Sequence, residues 1–279
     1  MLSLLKHELL SRWRAMLGWG VGLALFGAMY ISIYPQVSEQ MAQISDLAIY
    51  EAMGIEMTTF EGYIASVVLS YVALLLGIYA IVTSTKTLAG EEDAGTLELV
   101  MAQPLSRWQI VAMKTAGIAV AMFAALVVAA IGDAIVLQAI RSTTSVNVTP
   151  LELGLAVIGA WPITMAFVTF GIFLGAFLPS RRIAAIVATV VFVASFFAEG
   201  ISGMTESLKP IKPFSLFAYF DSTATTFTEG VAVSDVAVLL IVALVFFVLA
   251  LIGFQRRDVT VGAWPWQRMR TKRMYDVTR

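Results

Sequence analysis

Long apolar runs separated by short polar stretches dominate this chain. Six are long enough, or nearly so, to be membrane helices: residues 15–34, 62–84, 115–140, 153–178, 183–199 and 236–254. A helix rises about 1.5 Å per residue, so about 20 apolar residues cross roughly 30 Å of hydrocarbon. The first run carries no charge between Arg14 and Glu39, and the second is bounded by Glu61 and Lys86. The third is interrupted by Asp133. The fourth holds Pro162, which predicts a kink because proline lacks an amide hydrogen. The first run is longer than the apolar core of a cleavable leader and is expected to remain in the mature protein. Before it, Leu2, Leu5, Leu9 and Trp13 share one helical face, with Lys6, His7, Arg12 and Arg14 on the rest. Residues 1–14 are therefore predicted to form an amphipathic helix at the membrane interface.

The polar stretches orient the spans. Fifteen of the eighteen Lys and Arg residues fall in four segments: residues 1–14, the loop 85–109 with its margins, the turn at Arg181 and Arg182, and the tail 255–279. Basic residues concentrate on the cytoplasmic side of short loops, so both termini are expected there, with an even number of spans. The first outer loop, 35–61, has five acids and no basic residue, and its apolar positions predict a helix continuing past the membrane surface. The last outer loop, 200–230, joins Pro210 and Pro213 to Phe214, Leu216, Phe217, Tyr219 and Phe220, which predicts a re-entrant or interfacial helix.

Composition narrows the class further. The 279 residues are 59% hydrophobic and 13% charged, against roughly 25% charged in soluble chains. A single core cannot bury that much apolar surface at this length, so the bilayer must act as solvent for much of it. The fold expected is an all-α membrane protein. A net charge of −1 gives no basic field for nucleic acid. The absence of cysteine excludes disulfides, thiolate metal sites and cysteine nucleophiles, and the single histidine excludes a zinc-protease H-E-x-x-H pair. No acid–base or nucleophile cluster stands out at membrane depth, so an enzyme is not expected.

The loop 85–109 carries the most information. Glu91, Glu92, Asp93 and Gly95 precede a predicted short amphipathic helix over residues 96–102, with Leu97, Val100 and Met101 at i, i+3 and i+4. Pro104 ends it, since the residue before a proline disfavours helical geometry. Ser106 and Gln109 then have capping-box spacing and open the helix that becomes the third span. A short helix joined rigidly to two spans suits the transfer of a push from a soluble partner. A plain interfacial loop fits the same pattern.

The run 90–114, GEEDAGTLELVMAQPLSRWQIVAMK, resembles the loop signature of permeases of the type 2 ATP-binding-cassette (ABC) exporter class. The six spans, the amphipathic N-terminus, the LFAYFD run at 216–221 and the FQRRD run at 254–258 agree with it. The resemblance implies a coupling helix that docks on a separate ATPase, with Glu91, Glu92, Gly95, Thr96, Leu97 and Glu98 in that role, and an elbow helix over residues 1–14. It implies two permease subunits, identical or related, and two ATPase subunits, in the plasma membrane among its lipids. The chain has no G-x-x-x-x-G-K-[ST] phosphate loop, so ATP and Mg are expected on the partner and no cofactor on this chain. The domains expected are the elbow helix 1–14, a six-span body over 15–254 and a basic cytoplasmic tail over 255–279.

Polar and small residues within the spans complete the reading. A central Asp in a span costs roughly 2.5–3.5 kcal/mol on insertion scales, so Asp133 is expected to face protein or water. With Gln138 it is a candidate for the translocation path; a buried polar contact between helices is the alternative. Gly18 and Gly22, and Gly171 and Gly175, have the spacing that allows close helix packing, within one subunit or between two. The expected function is the permease subunit of an ATP-driven exporter. The alternative is an ATP-independent secondary transporter or channel, which would give Asp133 a role but leave the 91–109 loop without one.

Overall fold

The computed structural model describes residues 2–45, 59–97, 101–102, 104–141, 146–202, 206–220 and 223–256. Within them six helices are long and apolar enough to cross a membrane. We label them α1 (Leu2–Ser45), α2 (Phe60–Asp93), α3 (Arg107–Ile140), α4 (Pro150–Phe177), α5 (Arg181–Ser202) and α6 (Val233–Gln255). Each apolar run of the sequence lies within one of them or overruns its end by a single residue. No strand occurs among the described residues. Residues 46–58, the tail from residue 257 and residues 98–100 and 103 are among those outside the described part.

The helices are longer than the apolar runs because polar residues at both ends continue the backbone pattern. α1 passes through Pro35 and reaches Ser45, as the helical continuation into the first outer loop predicts. At its other end residues 2–14 do not form a separate helix: α1 runs unbroken through residues 14 and 15. Its inward face there is not the Leu9–Trp13 side. Trp13 is exposed, whereas Glu8 is buried and leads a stripe continued by Gly20, Leu23, Gly27, Ile31 and Tyr34. α2 contains two π-helical turns, Ile64–Leu69 and Lys86–Gly90, the second just before the acidic run.

α4 is the central helix. Its most apolar stretch is 78% buried, against 17% for α6, most of whose surface the rest of the chain leaves uncovered. α4 packs against α2, α3, α5 and α6, and α1 lies along α3. The break predicted at Pro162 is present one turn earlier. Helix Pro150–Ile158 stops at Gly159 and Ala160, and a second helix starts at Trp161 with Pro162 in its first turn. A proline there gives up an amide that would be unsatisfied anyway. The Trp161 indole donates to the Ala119 carbonyl of α3 at 3.1 Å, fixing the break against a neighbour.

The two glycine pairs have different surroundings. Gly171 faces Ser84 and Gly175 faces the Ala89 backbone, so this pair packs α4 on α2 within the subunit. Gly18 and Gly22 have nothing close to them. They floor an open groove of about 370 Å³ that Ala15, Trp19, Leu23 and Leu75 complete.

At the end of the bundle away from residue 8, the Tyr34 ring of α1 meets Phe60 of α2 edge-on and Tyr63 at a tilt. The segment before α6 forms 3-10 turns at Glu206–Phe214 and Leu216–Tyr219. It returns into the bundle through Phe217, which packs on Phe167 of α4 and on Phe192 and Phe196 of α5. Ser215 Oγ donates to the Ser195 carbonyl at 2.7 Å, and Leu216 N donates to Ser195 Oγ at 2.8 Å. Lys212 pairs with Glu199 at 3.4 Å.

Candidate functional site

The candidate site is the end of the bundle where α2 hands the chain to α3. Before the acidic run, the side-chain hydroxyls of Ser84, Thr85 and Thr87 turn back onto carbonyls of their own helix, Ile81 for the first two and Thr83 for the third. These buried hydroxyls keep the last turns of α2 satisfied without water. Glu91–Asp93 then form the helix's final turn. Gly95 stops it in the left-handed region, at φ +70°. Thr96 N donates to the Glu91 carbonyl and Gly95 N to the Glu92 carbonyl, both at 2.9 Å. This pair of bonds is the Schellman stop, and glycine fills its left-handed position without a Cβ clash.

Three acids at a helix C-terminus oppose the helix dipole, whose negative end lies there. The fold answers them with donors from other helices. Lys114 of α3, only 2% exposed, places Nζ 2.6 Å from Glu91 Oε1 and 2.9 Å from Glu8 Oε1 of α1. Glu8 Oε2 also accepts from Arg12 Nε at 3.1 Å and Nη2 at 2.9 Å. Asp93 Oδ2 accepts from the Arg181 backbone N–H at 3.2 Å, at the start of α5, where a carboxylate favours the helix dipole. The acidic run thus touches α3 and α5 within one helical turn, and reaches α1 through Lys114.

α3 begins as its capping box predicts. The Ser106 side chain caps the N3 backbone and Ser106 N donates to Gln109 Oε1 at 3.0 Å. This aims Arg107 at α6, where Nη1 donates to the Phe254 and Gln255 carbonyls at 3.1 and 3.4 Å. The guanidinium also lies over the Phe254 ring. A cation on the carbonyl end of a helix satisfies orphan acceptors and complements the dipole. These contacts bring the start of α1, the end of α2, the starts of α3 and α5 and the end of α6 to one common face.

Of the six residues in the expected coupling role, Glu91 pairs inward with Lys114, Glu92 is buried, and Leu97 is buried at 1% exposure. Gly95 and Thr96 are exposed, together with the neighbouring Asp93 and Ala94. Glu98 and the middle of the 96–102 helix lie outside the described residues. Trp108, the second residue of α3, is half exposed.

Asp133 and Gln138 are not brought together. Asp133 is fully buried against Gly27 of α1, and neither carboxyl oxygen has a hydrogen-bond partner among the described residues; Gln138 is exposed.

Glu8 and Lys114 were not among the residues the sequence singled out. Glu8 sits in a polar N-terminal stretch that reads as interfacial, and Lys114 reads as the margin of a topogenic loop. The only local signal was an acid on an otherwise basic segment.

The comparison with curated proteins finds no match. The family comparison does: the model described as ABC-2 family transporter protein matches residues 2–259, nearly the whole chain. It spans all six membrane helices and the α2–α3 junction, and this multi-pass membrane protein belongs to the ABC-2 transporter permease family.

Proposed function

We propose that this chain is the membrane-spanning subunit of an ATP-driven exporter, working in the plasma membrane with two copies of a separate ABC ATPase and with a second permease, identical or related. Both termini and the α2–α3 junction face the cytoplasm, in line with the basic residues gathered there. The ATPase carries ATP and Mg. It docks against the junction, where Asp93, Ala94, Gly95, Thr96 and Trp108 offer exposed backbone and side chains. Closure of the ATPase pair pushes on this junction and shifts α1, α2 and α3 against the second subunit, opening a path outward.

The observation that carries the reading is the set of ties holding the junction. A loop that only linked two spans would need none; this one is fixed to α1 and α3 through Lys114 and to α5 through Asp93. A push there reaches four helices at once.

The test is affinity purification of the tagged full chain from its host in mild detergent, with copurifying proteins identified and counted. The expected result is a near-stoichiometric ATPase bearing a Walker phosphate loop, and a permease count that separates homodimer from heterodimer. Recovery without an ATPase, under conditions that preserve a known transporter of this class, would favour an ATP-independent transporter or channel. That second reading draws on Asp133, a carboxyl at membrane depth without a partner among the described residues.

A further inference from the structure

A lysine ammonium has three donors and no acceptor, and desolvating it is costly unless carboxylates replace its water. Lys114 meets that condition with two carboxylates that come from different helices. Glu8 lies 106 positions before it on α1, and Glu91 lies 23 positions before it at the end of α2. Glu8 is shared with Arg12, so two cations and two anions balance in one chain of contacts, Arg12–Glu8–Lys114–Glu91. The site is closed by packing as well. Gly117, one turn after Lys114, admits the Glu8 side chain so closely that a Cβ there would come within 2.9 Å of the Glu8 Cβ.

We infer that Lys114 is a positioning residue for energy coupling: the Glu8–Lys114–Glu91 junction locks the N-terminal helix, the last turn of α2 and the base of α3 into one body that moves together when the ATPase pushes. This rests on the function proposed above and refines it. Glu91 serves as an internal tie, while the exposed residues 93–96 meet the partner. A buried triad separates specificity from stability. Removing one member strands a charge, whereas neutralising all members together removes the desolvation cost along with the attraction. The triple variant Glu8→Gln, Lys114→Met, Glu91→Gln leaves only Arg12 charged, and its side chain is 17% exposed to solvent; the variant therefore folds and binds its ATPase but no longer holds the three elements together.

The experiment uses the full chain with its copurified ATPase in nanodiscs of phosphatidylethanolamine and phosphatidylglycerol. The permease has no cysteine, so Ser11→Cys on α1 and Lys86→Cys, exposed near the end of α2 and outside the docking surface, take spin labels before the ATPase is added back. In the wild-type background the label separation stays the same between nucleotide-free and vanadate-trapped states. In the triple variant it shifts by about 2 Å or more, or its distribution broadens, a step comparable to known helix shifts. Glu91→Gln alone, which keeps the Lys114–Glu8 pair, gives the same direction of change and serves if the triple variant does not fold. A wild-type separation that changes between the states overturns the inference. So does a triple or single variant indistinguishable from wild type. Absence of any ATPase from the wild-type preparation overturns the proposed function and this inference together. An ATPase that copurifies and hydrolyses ATP while the junction flexes freely overturns the inference alone.

Discussion

Asp133 of α3 packs directly on Gly27 of α1: a Cβ added at Gly27 would lie 2.6 Å from the Asp133 carboxyl carbon. The glycine is present because the carboxyl occupies the space that any larger residue would need. Gly132 makes the reciprocal approach to Ala24 of α1, so the two helices are in close contact over this turn. Gly27→Ala is expected to destabilise the protein by about 1–3 kcal/mol through overpacking. Adding Asp133→Ala removes both the obstruction and a buried polar group, so the double variant should unfold at a higher temperature than Gly27→Ala alone. Thermal loss of the monodisperse peak in detergent chromatography measures this. Losses that simply add would show that the two residues do not share one space.

The Lys114 junction gives a ranking of stabilities. Lys114→Met leaves two inward carboxylates facing each other and should cost about 3–5 kcal/mol. Glu91→Gln leaves Lys114 its bond to Glu8 and should cost less, because Glu91 is the more exposed of the two acids, at 26% against 7%. The same unfolding measurement, run on both variants, checks the order; a reversed order would mean that the Glu8 bond contributes little.

How much of this was legible in the sequence depends on the range of each signal. The Ser106–Gln109 capping box was readable because both partners lie within one turn and need only local geometry. Pro162 was readable as a break for the same reason, although the chain parts one turn earlier at Gly159 and Ala160. The six spans followed from apolar length alone. Lys114 and Glu8 were not readable as a pair: periodicity assigns a face to each helix but does not say which faces meet. The acids at 91–93 read as a loop, whereas they close α2, because Gly95 stops the helix only after them. Asp133 was visible as an isolated acid, but its neighbour Gly27 is on another helix and carries no side chain to mark it.

Gly95 offers a clean test of backbone conformation. It has φ +70° and no neighbouring atom within 4 Å of an added Cβ, so a substitution there meets strain but no clash. Gly95→Ala should cost roughly 1 kcal/mol, the ordinary penalty of a left-handed conformation. Copurified ATPase should fall by a larger factor than unfolding stability explains if the stop also aims residues 93–96 at the partner. Retention equal to wild type would remove Gly95 from the docking surface.

Ser195 holds the segment before α6 to α5 with three bonds: its hydroxyl accepts from Leu216 N at 2.8 Å and lies 3.1 Å from Ser215 Oγ, and its carbonyl accepts from Ser215 Oγ at 2.7 Å. Ser195→Ala removes both hydroxyl bonds and strands the Leu216 amide, which should cost about 1–3 kcal/mol locally. A cysteine introduced at Phe217, which is buried between α4 and α5, should react with maleimide faster in the Ser195→Ala background. Equal rates would show that the Ser195 hydroxyl does not help to seat the segment.

Orientation is the prediction on which the docking proposal stands. The contacts Glu8–Lys114, Asp93–Arg181 and Arg107–Phe254 gather one end of the bundle, and most of the basic residues among the described ones lie there. The Tyr34–Phe60–Tyr63 cluster marks the other end. If the basic end is cytoplasmic, Ala94→Cys reacts with a membrane-impermeant maleimide only after the cells are permeabilised, and Ser45→Cys reacts in intact cells. The absence of native cysteine makes each signal attributable to a single site. The opposite pattern would place the α2–α3 junction outside, beyond reach of a cytoplasmic ATPase. The ties from Lys114 and Asp93 would then be read as braces of an outer gate.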